Sequence, residues 1–572
     1  MKIIKLMKGL VRYLIFMVIF SIIQVVCELY LPNIMSDVVD KGIATGNTSF
    51  IIKEGFYMFL ITIAALVANI IVVYCTSKFS NNYGFHIRDS LYKKITSFSK
   101  REIDHFGAST LITRSTNNVS NITSTFSFGL RIVIFAPIMG IGAAVMGYSK
   151  AAKLAPTVII AVLILMLGIG LIFGIVLPKF NRLQQLLDKL NSSTREVLSG
   201  LRVIKSFNKE KYFSNRFDKV NSENRDLNIF LNKILYLVQP LMMLTIDVST
   251  VVIVYLSTKY LGTPDLELGS MMAFIQYMST ILISFLMILV IILNIPRVMV
   301  SFKRINEILN VEPSIQNTGS IKLKTLESIE FNHVYFRYDG AKRDMLKDLC
   351  FKIRKGETIG IIGSSGSGKT TIVNLLLRHI DPTDGEILIN GIDIKEYDIE
   401  SLRSMFAYTP QKSLLFRGTI KENLSFNKKY KYDQLDQAME FASIKDFINK
   451  NEEGYDYNIE QAAVNLSGGQ KQRMAIARAL LSGGECLLFD DSLSAVDYIT
   501  DRKIREAIQA NYSDKMVILI TQRVGTIKDS NQIIVINDGT VESIGDYKTL
   551  EKESRVFKEF IDSQTRGLIN EK

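Results

Sequence analysis

Nine residues, Gly363 to Thr371 (GSSGSGKTT), are built to grip phosphate. They fit the spacing G-x-x-x-x-G-K-[ST], and the flanks suit it. Thr358 to Ile362 predicts a buried strand leading in, and Thr371 to Leu377 an apolar helix leading out. Glycines at 363, 366 and 368 let the backbone wrap around phosphate oxygens, so that N–H groups and the positive end of the helix point at negative charge. Ser364, Ser365 and Ser367 complete the loop, Lys369 would reach the terminal phosphates, and the Thr370 hydroxyl would ligate Mg²⁺. A Gly/Ser-rich linker would share the composition without placing strand, lysine and threonine in register. A second stretch, Leu466 to Gln470 (LSGGQ), has related chemistry. Ser467 is a good N-cap, Gly468 and Gly469 permit close backbone approach, and Gln470 to Leu481 predicts a helix whose positive end faces outward. These features imply a nucleotide site for ATP or GTP and leave open what the nucleotide drives.

The rest of the chain must position these stretches. Its 572 residues exceed one ordinary domain, and its hydrophobic residues, 48% of the total, crowd into the first half. Cys27, Cys75, Cys350 and Cys486 are isolated, with no C-x-x-C pair, which predicts neither a disulfide framework nor a zinc site. The net charge of +12 comes with no base-reading module and no compact basic block, so nucleic acid is not the expected partner.

Six apolar runs are long enough to cross a hydrocarbon core of about 30 Å: Tyr13–Leu31, Phe56–Tyr74, Phe128–Tyr148, Pro156–Leu177, Tyr236–Leu256 and Met271–Ile295. The first follows Lys2, Lys5, Lys8 and Arg12 as a signal peptide would, but has no small-residue cleavage site and reads as a retained span. Two long connections, Lys78–Phe126 and Lys179–Lys233, are rich in Lys and Arg, whereas the others are short and poor in them. By the positive-inside rule both long loops and both termini are cytoplasmic, in a multi-pass protein of the cell membrane.

Helical spacing in Leu183–Leu190 and Leu227–Val238 predicts that spans continue as helices beyond the bilayer. Turns are expected at Phe106–Ser109, with Ser109 capping a short helix toward Ser115, and at Ser199–Gly200. Gln24, Glu28, Asp247 and Gln276 are polar groups within spans. Glu28 and Asp247 are candidates for contact with a polar or cationic cargo, an interhelical hydrogen bond being the plainer role. Past Pro296 hydropathy falls, Val311–Lys324 reads as a linker, and from Ile329 strands alternate with helices as in an α/β domain. The expected domains are residues 1–310, a linker at 311–327, and 328–572.

Six spans with two long cytoplasmic loops, then GSSGSGKT, Gln411, LSGGQ, LLFDD at Leu487–Asp491 and SAVD at Ser494, Ala495, Val496 and Asp497, resemble a half-transporter of the ABC exporter family. The resemblance covers nearly the whole chain. It implies a polytopic helical membrane domain followed by a P-loop nucleotide-binding domain that uses ATP and Mg²⁺. Tyr338 matches the aromatic that stacks on adenine, Gln411 the Q-loop residue that touches Mg²⁺, and Asp490 the Walker B carboxylate that organises it. Ser494 to Asp497 match the D-loop. In the family LSGGQ closes on nucleotide held by a partner's P-loop, so the resemblance implies a dimer, with Ser109–Ser115 and Leu201–Lys209 as coupling helices.

The chain departs from the pattern where hydrolysis occurs. Asp491 stands where the family usually has the glutamate that prepares the attacking water, and Gln522 where it has the switch histidine. Aspartate is one methylene shorter, and glutamine cannot carry an imidazolium charge. Ile459–Asn465 (IEQAAVN) also lacks the glycines of a Gly-Glu-x-Gly element often found there. The pattern resembles the degenerate-site subunit of heterodimeric bacterial multidrug-type ABC exporters. The expected protein holds ATP at a slow site and lends LSGGQ to a partner carrying the missing Glu and His. A homodimeric lipid or peptide exporter and an ATP-gated channel or sensor are the other readings.

Overall fold

In a computed structural model, residues 3, 6–259, 266–494 and 496–569 are described. By internal contacts the chain divides into two units. One is Met1–Thr96 with Ala108–Val311, and the other is Ser97–Gly107 with Glu312–Lys572.

Among the described residues the first unit holds six helical stretches long and apolar enough to cross a membrane: Val11–Ile43, Thr48–Thr96, Ala108–Lys150, Ala152–Ser206, Glu210–Ser257 and Leu268–Asn310. Of the expected helical extensions, Leu183–Leu190 lies within the helix Ala155–Ser206, whereas Leu227–Val238 is interrupted, the helix Glu210–Leu235 ending in a turn at Tyr236–Leu237 before the next begins at Val238. The 49-residue helix Thr48–Thr96 is about 74 Å long at 1.5 Å per residue, more than twice a hydrocarbon core. Ser199 and Gly200, expected to turn the chain, lie inside the continuous helix Ala155–Ser206. An exposed helical glycine costs only about 1 kcal/mol, and the reversal occurs at Phe207–Lys209, where Asn208 takes φ 50°. Likewise the short helix expected after a Ser109 cap starts two residues earlier, as Ala108–Ser115, so that Ser109 lies inside its first turn instead of capping it.

The second unit is built on strands β1 Ser328–Phe336, β2 Leu346–Arg354, β3 Thr358–Gly363, β4 Asp384–Ile389, β5 Ile392–Asp393, β6 Phe406–Thr409, β7 Gly418–Thr419, β8 Asn458–Ile459, β9 Cys486–Asp490, β10 Met516–Thr521, β11 Gln532–Asn537 and β12 Thr540–Gly545. The central sheet runs β12-β11-β3-β10-β9-β6, parallel except for β12, and an antiparallel sheet runs β2-β1-β4-β5. Both faces of the central sheet are covered. Ile362, Leu487, Leu519 and Val535 enter one core with Met474, Ile476 and Leu480 of the helix Gly468–Ser482. Ile361, Leu488, Ile518 and Ile534 enter the other with Ile372, Val373 and Leu376 of the helix Lys369–Leu376. Near-continuous apolar strands are what a doubly covered parallel sheet requires.

Ser97–Gly107 joins this unit through Glu102, which accepts bonds from Ser99 N–H at 2.9 Å and Ser314 N–H at 3.2 Å. Burial pushes the Glu102 carboxyl up, but these bonds outweigh it and hold the group below its ordinary range. Of the two segments expected to couple the domains, Ser109–Ser115 and Leu201–Lys209 both group with the first unit.

His379, just past the helix Lys369–Leu376, is half-buried, and burial together with Arg403 and Lys100 lowers its imidazole from 6.5 to about 4. A depressed folded pKa means that the unfolded chain binds the proton first as pH falls, so stability is full above 6.5 and declines toward 4. At pH 5 the cost is about 2 kcal/mol. The apparent unfolding midpoint of the wild type should therefore fall more steeply between pH 7 and 5 than that of His379→Gln. Parallel curves would remove His379 from the acid response.

Candidate functional site

Four segments that the sequence marks for chemistry leave the carboxyl ends of neighbouring parallel strands. β3 ends at Gly363 and feeds the P-loop, β9 ends at Asp490, β10 at Thr521 beside Gln522, and β6 at Thr409 two residues before Gln411. The register sets Thr521 against Ile362, Ile520 against Asp490 and Phe489 against Thr409, so the segments emerge side by side. Open α/β sheets bind ligands at this edge.

The P-loop follows local backbone chemistry. A Cβ on Gly363 would lie 2.4 Å from Ile536 O, and Gly368 has φ 102° with Leu346 packed where a side chain would be. Ser367, Lys369 and Thr371 are buried, whereas Ser364 to Gly366 and Thr370 face solvent. Lys369 Nζ donates to Gly363 O and Ser364 O, both at 2.7 Å. Burial lowers its pKa, opposed by Asp491 and Asp490. Thr370 Oγ1 donates to Asp490 Oδ1 at 3.4 Å, and Gln411 Nε2 to Asp491 Oδ2 at 3.2 Å. Burial pushes Asp490 up to about 6; the Thr370 bond pulls down, Asp491 adds to the rise, and Lys369 resists it. Asp490 Oδ2 and Asp491 Oδ1 are buried without a hydrogen-bond partner. Buried, unpartnered carboxylate oxygens beside a threonine hydroxyl and an amide are hard donors of the kind Mg²⁺ takes. Thr370, Asp490 and Gln411 thus fit such an ion.

Tyr338 follows β1, and its hydroxyl lies 3.0 Å from Thr371 Oγ1 while its ring meets Phe336 edge-on at 4.8 Å. The aromatic therefore stands beside the P-loop helix. At Leu466–Gln470 the structure closes a capping box: Ser467 Oγ accepts from Gln470 N–H at 3.2 Å, and Gln470 Oε1 from Ser467 N–H at 2.7 Å. The helix starts at Gly468, with Ser467 and Gly468 exposed, and among the described residues none of its hydrogen bonds reaches the P-loop.

The family description "ABC transporter transmembrane region" matches residues 14–286, and "ABC transporter" matches residues 346–494. An uncharacterized ABC transporter ATP-binding protein of Mycobacterium tuberculosis is 32% identical over 561 residues, covering 97% of this chain and 96% of its own length. The chain belongs to the ABC transporter family. An ATP-dependent lipid A-core flippase of Vibrio vulnificus is 26% identical, covering 93% of this chain and 92% of its own length. A bacterial Atm1-family ABC exporter solved with ATP bound superposes with a TM-score of 0.81, at 22% identity, over 97% of this chain and 99% of that one. The fold is thus the expected one: six apolar helices followed by an ABC nucleotide-binding domain. Fused membrane and ATP-binding domains make the protein an ABC half-transporter, an ATPase-coupled multi-pass membrane protein with the fold of an ABC exporter.

In this ABC half-transporter two residues that sequence reasoning missed hold the hydrolytic edge. Gln564, on the C-terminal helix Arg555–Ile569, donates to Gln522 O at 2.7 Å and accepts from Val524 N–H at 3.0 Å. Arg523 bonds the carbonyls of Ser494 and Val496, tying the D-loop to the end of β10. Asp497 caps the next helix, and Ala495 lies outside the described residues.

Within the membrane unit, Glu28 accepts from Gln24 Nε2 at 2.8 Å and, with Gln276, Tyr277, Met35, Met139 and Met272, lines a cavity of about 460 Å³. A second cavity of about 440 Å³ is lined by Thr76, Ser127, Arg131 and apolar residues. Asp247 is exposed on its helix and lines neither of these.

In the IEQAAVN stretch Ala462 and Ala463 have φ 58° and 53°. Left-handed backbone costs an alanine roughly 1–2 kcal/mol, which glycine avoids at the expense of a floppier unfolded chain. Ala462→Gly, at an exposed position, should stabilise by about 0.5–1 kcal/mol, read as a higher apparent unfolding midpoint. A lower midpoint would show that the strain is not relieved.

Proposed function

We propose that this chain is the holding subunit of a heterodimeric exporter. Its own P-loop binds Mg-ATP through Tyr338, Ser364 to Thr371 and the Thr370–Asp490–Gln411 oxygens, and turns it over slowly. Its intact LSGGQ serves the competent P-loop of a non-identical partner. The observation that carries this reading is the Asp491 carboxylate, bonded to Gln411 at 3.2 Å on one oxygen and buried without a partner on the other. A short carboxylate engaged this way, beside a neutral Gln522, is poorly placed to take a proton from water. Long cytoplasmic helices and basic loops support a cytoplasmic nucleotide-binding domain in the cell membrane. Glu28 and Gln276 are the cargo-facing candidates, while Asp247 is available to a partner or to lipid.

The purified subunit alone should hydrolyse ATP on the order of 10²-fold more slowly than the pair co-expressed with its neighbouring gene product. Brisk turnover by the chain alone would overturn the proposal. The Vibrio relative, a lipid A-core flippase by name, favours a second reading in which the cargo is a lipid, and the pair could then be a homodimer. Mass measurement of the assembled complex separates a homodimer from a mixed one, and vesicle uptake separates a pump from a channel that only dissipates gradients.

A further inference from the structure

The isolated cysteines predicted no metal site, yet the fold gathers ligands that the sequence keeps apart. The β1–β2 hairpin carries two opposed bulges. Between the pairs Phe331–Phe351 and Val334–Leu349, Asn332 and His333 face Cys350 alone. Between Val334–Leu349 and Phe336–Leu346, Lys347 and Asp348 face Tyr335 alone. His333 and Asp348 take left-handed backbone there, with φ 48° and 51°, a conformation that bulges more often give to glycine. The consequence is convergence. His333 Nδ1 lies 2.6 Å from Asp348 Oδ1 and 3.4 Å from Cys350 Sγ, and Cys350 Sγ lies 3.8 Å from Asp348 Oδ1. All three side chains are exposed.

We propose that His333, Asp348 and Cys350 form a binding site for a divalent transition ion of the zinc class on the nucleotide-binding unit. Imidazole nitrogen, thiolate and carboxylate are the ligand types such ions take, at about 2.0–2.1, 2.3 and 2.0–2.2 Å. Tetrahedral angles at those bond lengths set the ligand atoms roughly 3.3–3.6 Å apart. The two contacts of the sulfur already sit near that spacing. Only the nitrogen and oxygen must part, by roughly 0.7 Å, as the ion replaces the hydrogen bond between them. Binding releases the thiol proton and leaves the imidazole neutral. The backbone N–H of His333 donates to Cys350 Sγ at 3.3 Å, the kind of outer contact that supports a metal-bound thiolate. Exposure leaves the fourth position to water.

A Cys–His–Asp nucleophile does not fit the same atoms. Asp348 and Cys350 both address Nδ1, whereas a relay needs the base oriented through one ring nitrogen and active through the other. Cys27 is half-buried and Cys75 and Cys486 are buried, so Cys350 is the exposed thiol of the chain.

The test uses the full-length protein in detergent, stripped with chelator and kept in Mg²⁺ to occupy the nucleotide site. Titration with Co²⁺ should give one equivalent per chain with thiolate-to-cobalt absorption, displaced by Zn²⁺. Cys350→Ser should abolish that absorption. His333→Asn, whose side chain tolerates the left-handed backbone, should weaken Co²⁺ binding at least about 10-fold, with ATP affinity unchanged in both. Absence of the absorption in the wild type, or its survival at unchanged affinity in either variant, would overturn the site.

Discussion

Replacing Asp491 by glutamate and Gln522 by histidine together should raise ATP turnover at this chain's own P-loop by on the order of 10²-fold, measured in the assembled dimer with the partner's site silenced. A well-placed general base contributes about 10²–10⁴-fold, and a group one methylene short forfeits much of that because the proton must be within about 3 Å or one water. Asp491 sits at φ 49° at the mouth of β9, its N–H bonded to Ile520 O at 2.8 Å, so its backbone cannot advance to make up the missing length. Glutamate would reach past Gln411, and histidine would restore a chargeable donor at the end of β10. Both changes are needed because base and donor act on one transition state, so the single variants should gain less than their product. A double variant with unchanged turnover would show that these positions do not limit the site.

Lys369→Ala should have the opposite outcome, a fall of about 100-fold in nucleotide affinity with little change in fold stability. The ammonium is buried and held by two loop carbonyls, so the loop already positions it before any ligand arrives. A charge-assisted bond is worth about 1.5–3 kcal/mol, and one or two of them amount to roughly ten- to ten-thousand-fold in affinity. Equilibrium binding of a fluorescent ATP analogue would measure it. Affinity within about threefold of the wild type would remove Lys369 from phosphate binding.

How much of this was legible depended on how local the signal was. The P-loop and LSGGQ could be read because strand, glycine, cap and helix follow one another within a few residues, and Ser467 caps where its type and spacing said it would. The six spans were legible as composition. The break expected at Ser199–Gly200 failed because a helix tolerates both residues at small cost, whereas Asn208, which does reverse the chain, looks like any other polar residue. Gln564 was invisible because its partners, Gln522 and Val524, are 42 and 40 residues away and its own helix reads only as amphipathic. The His333–Asp348–Cys350 cluster depended on two bulges, and bulges shift register without a sequence mark of their own.

The setting of Tyr338 offers an optical handle. The chain contains no tryptophan, and this ring stands next to Thr371 at the start of the P-loop helix. An indole substituted there would be the sole one in the chain, beside the P-loop helix. Its emission would follow this P-loop alone among the sites of the chain, so the arrival and departure of nucleotide there could be timed.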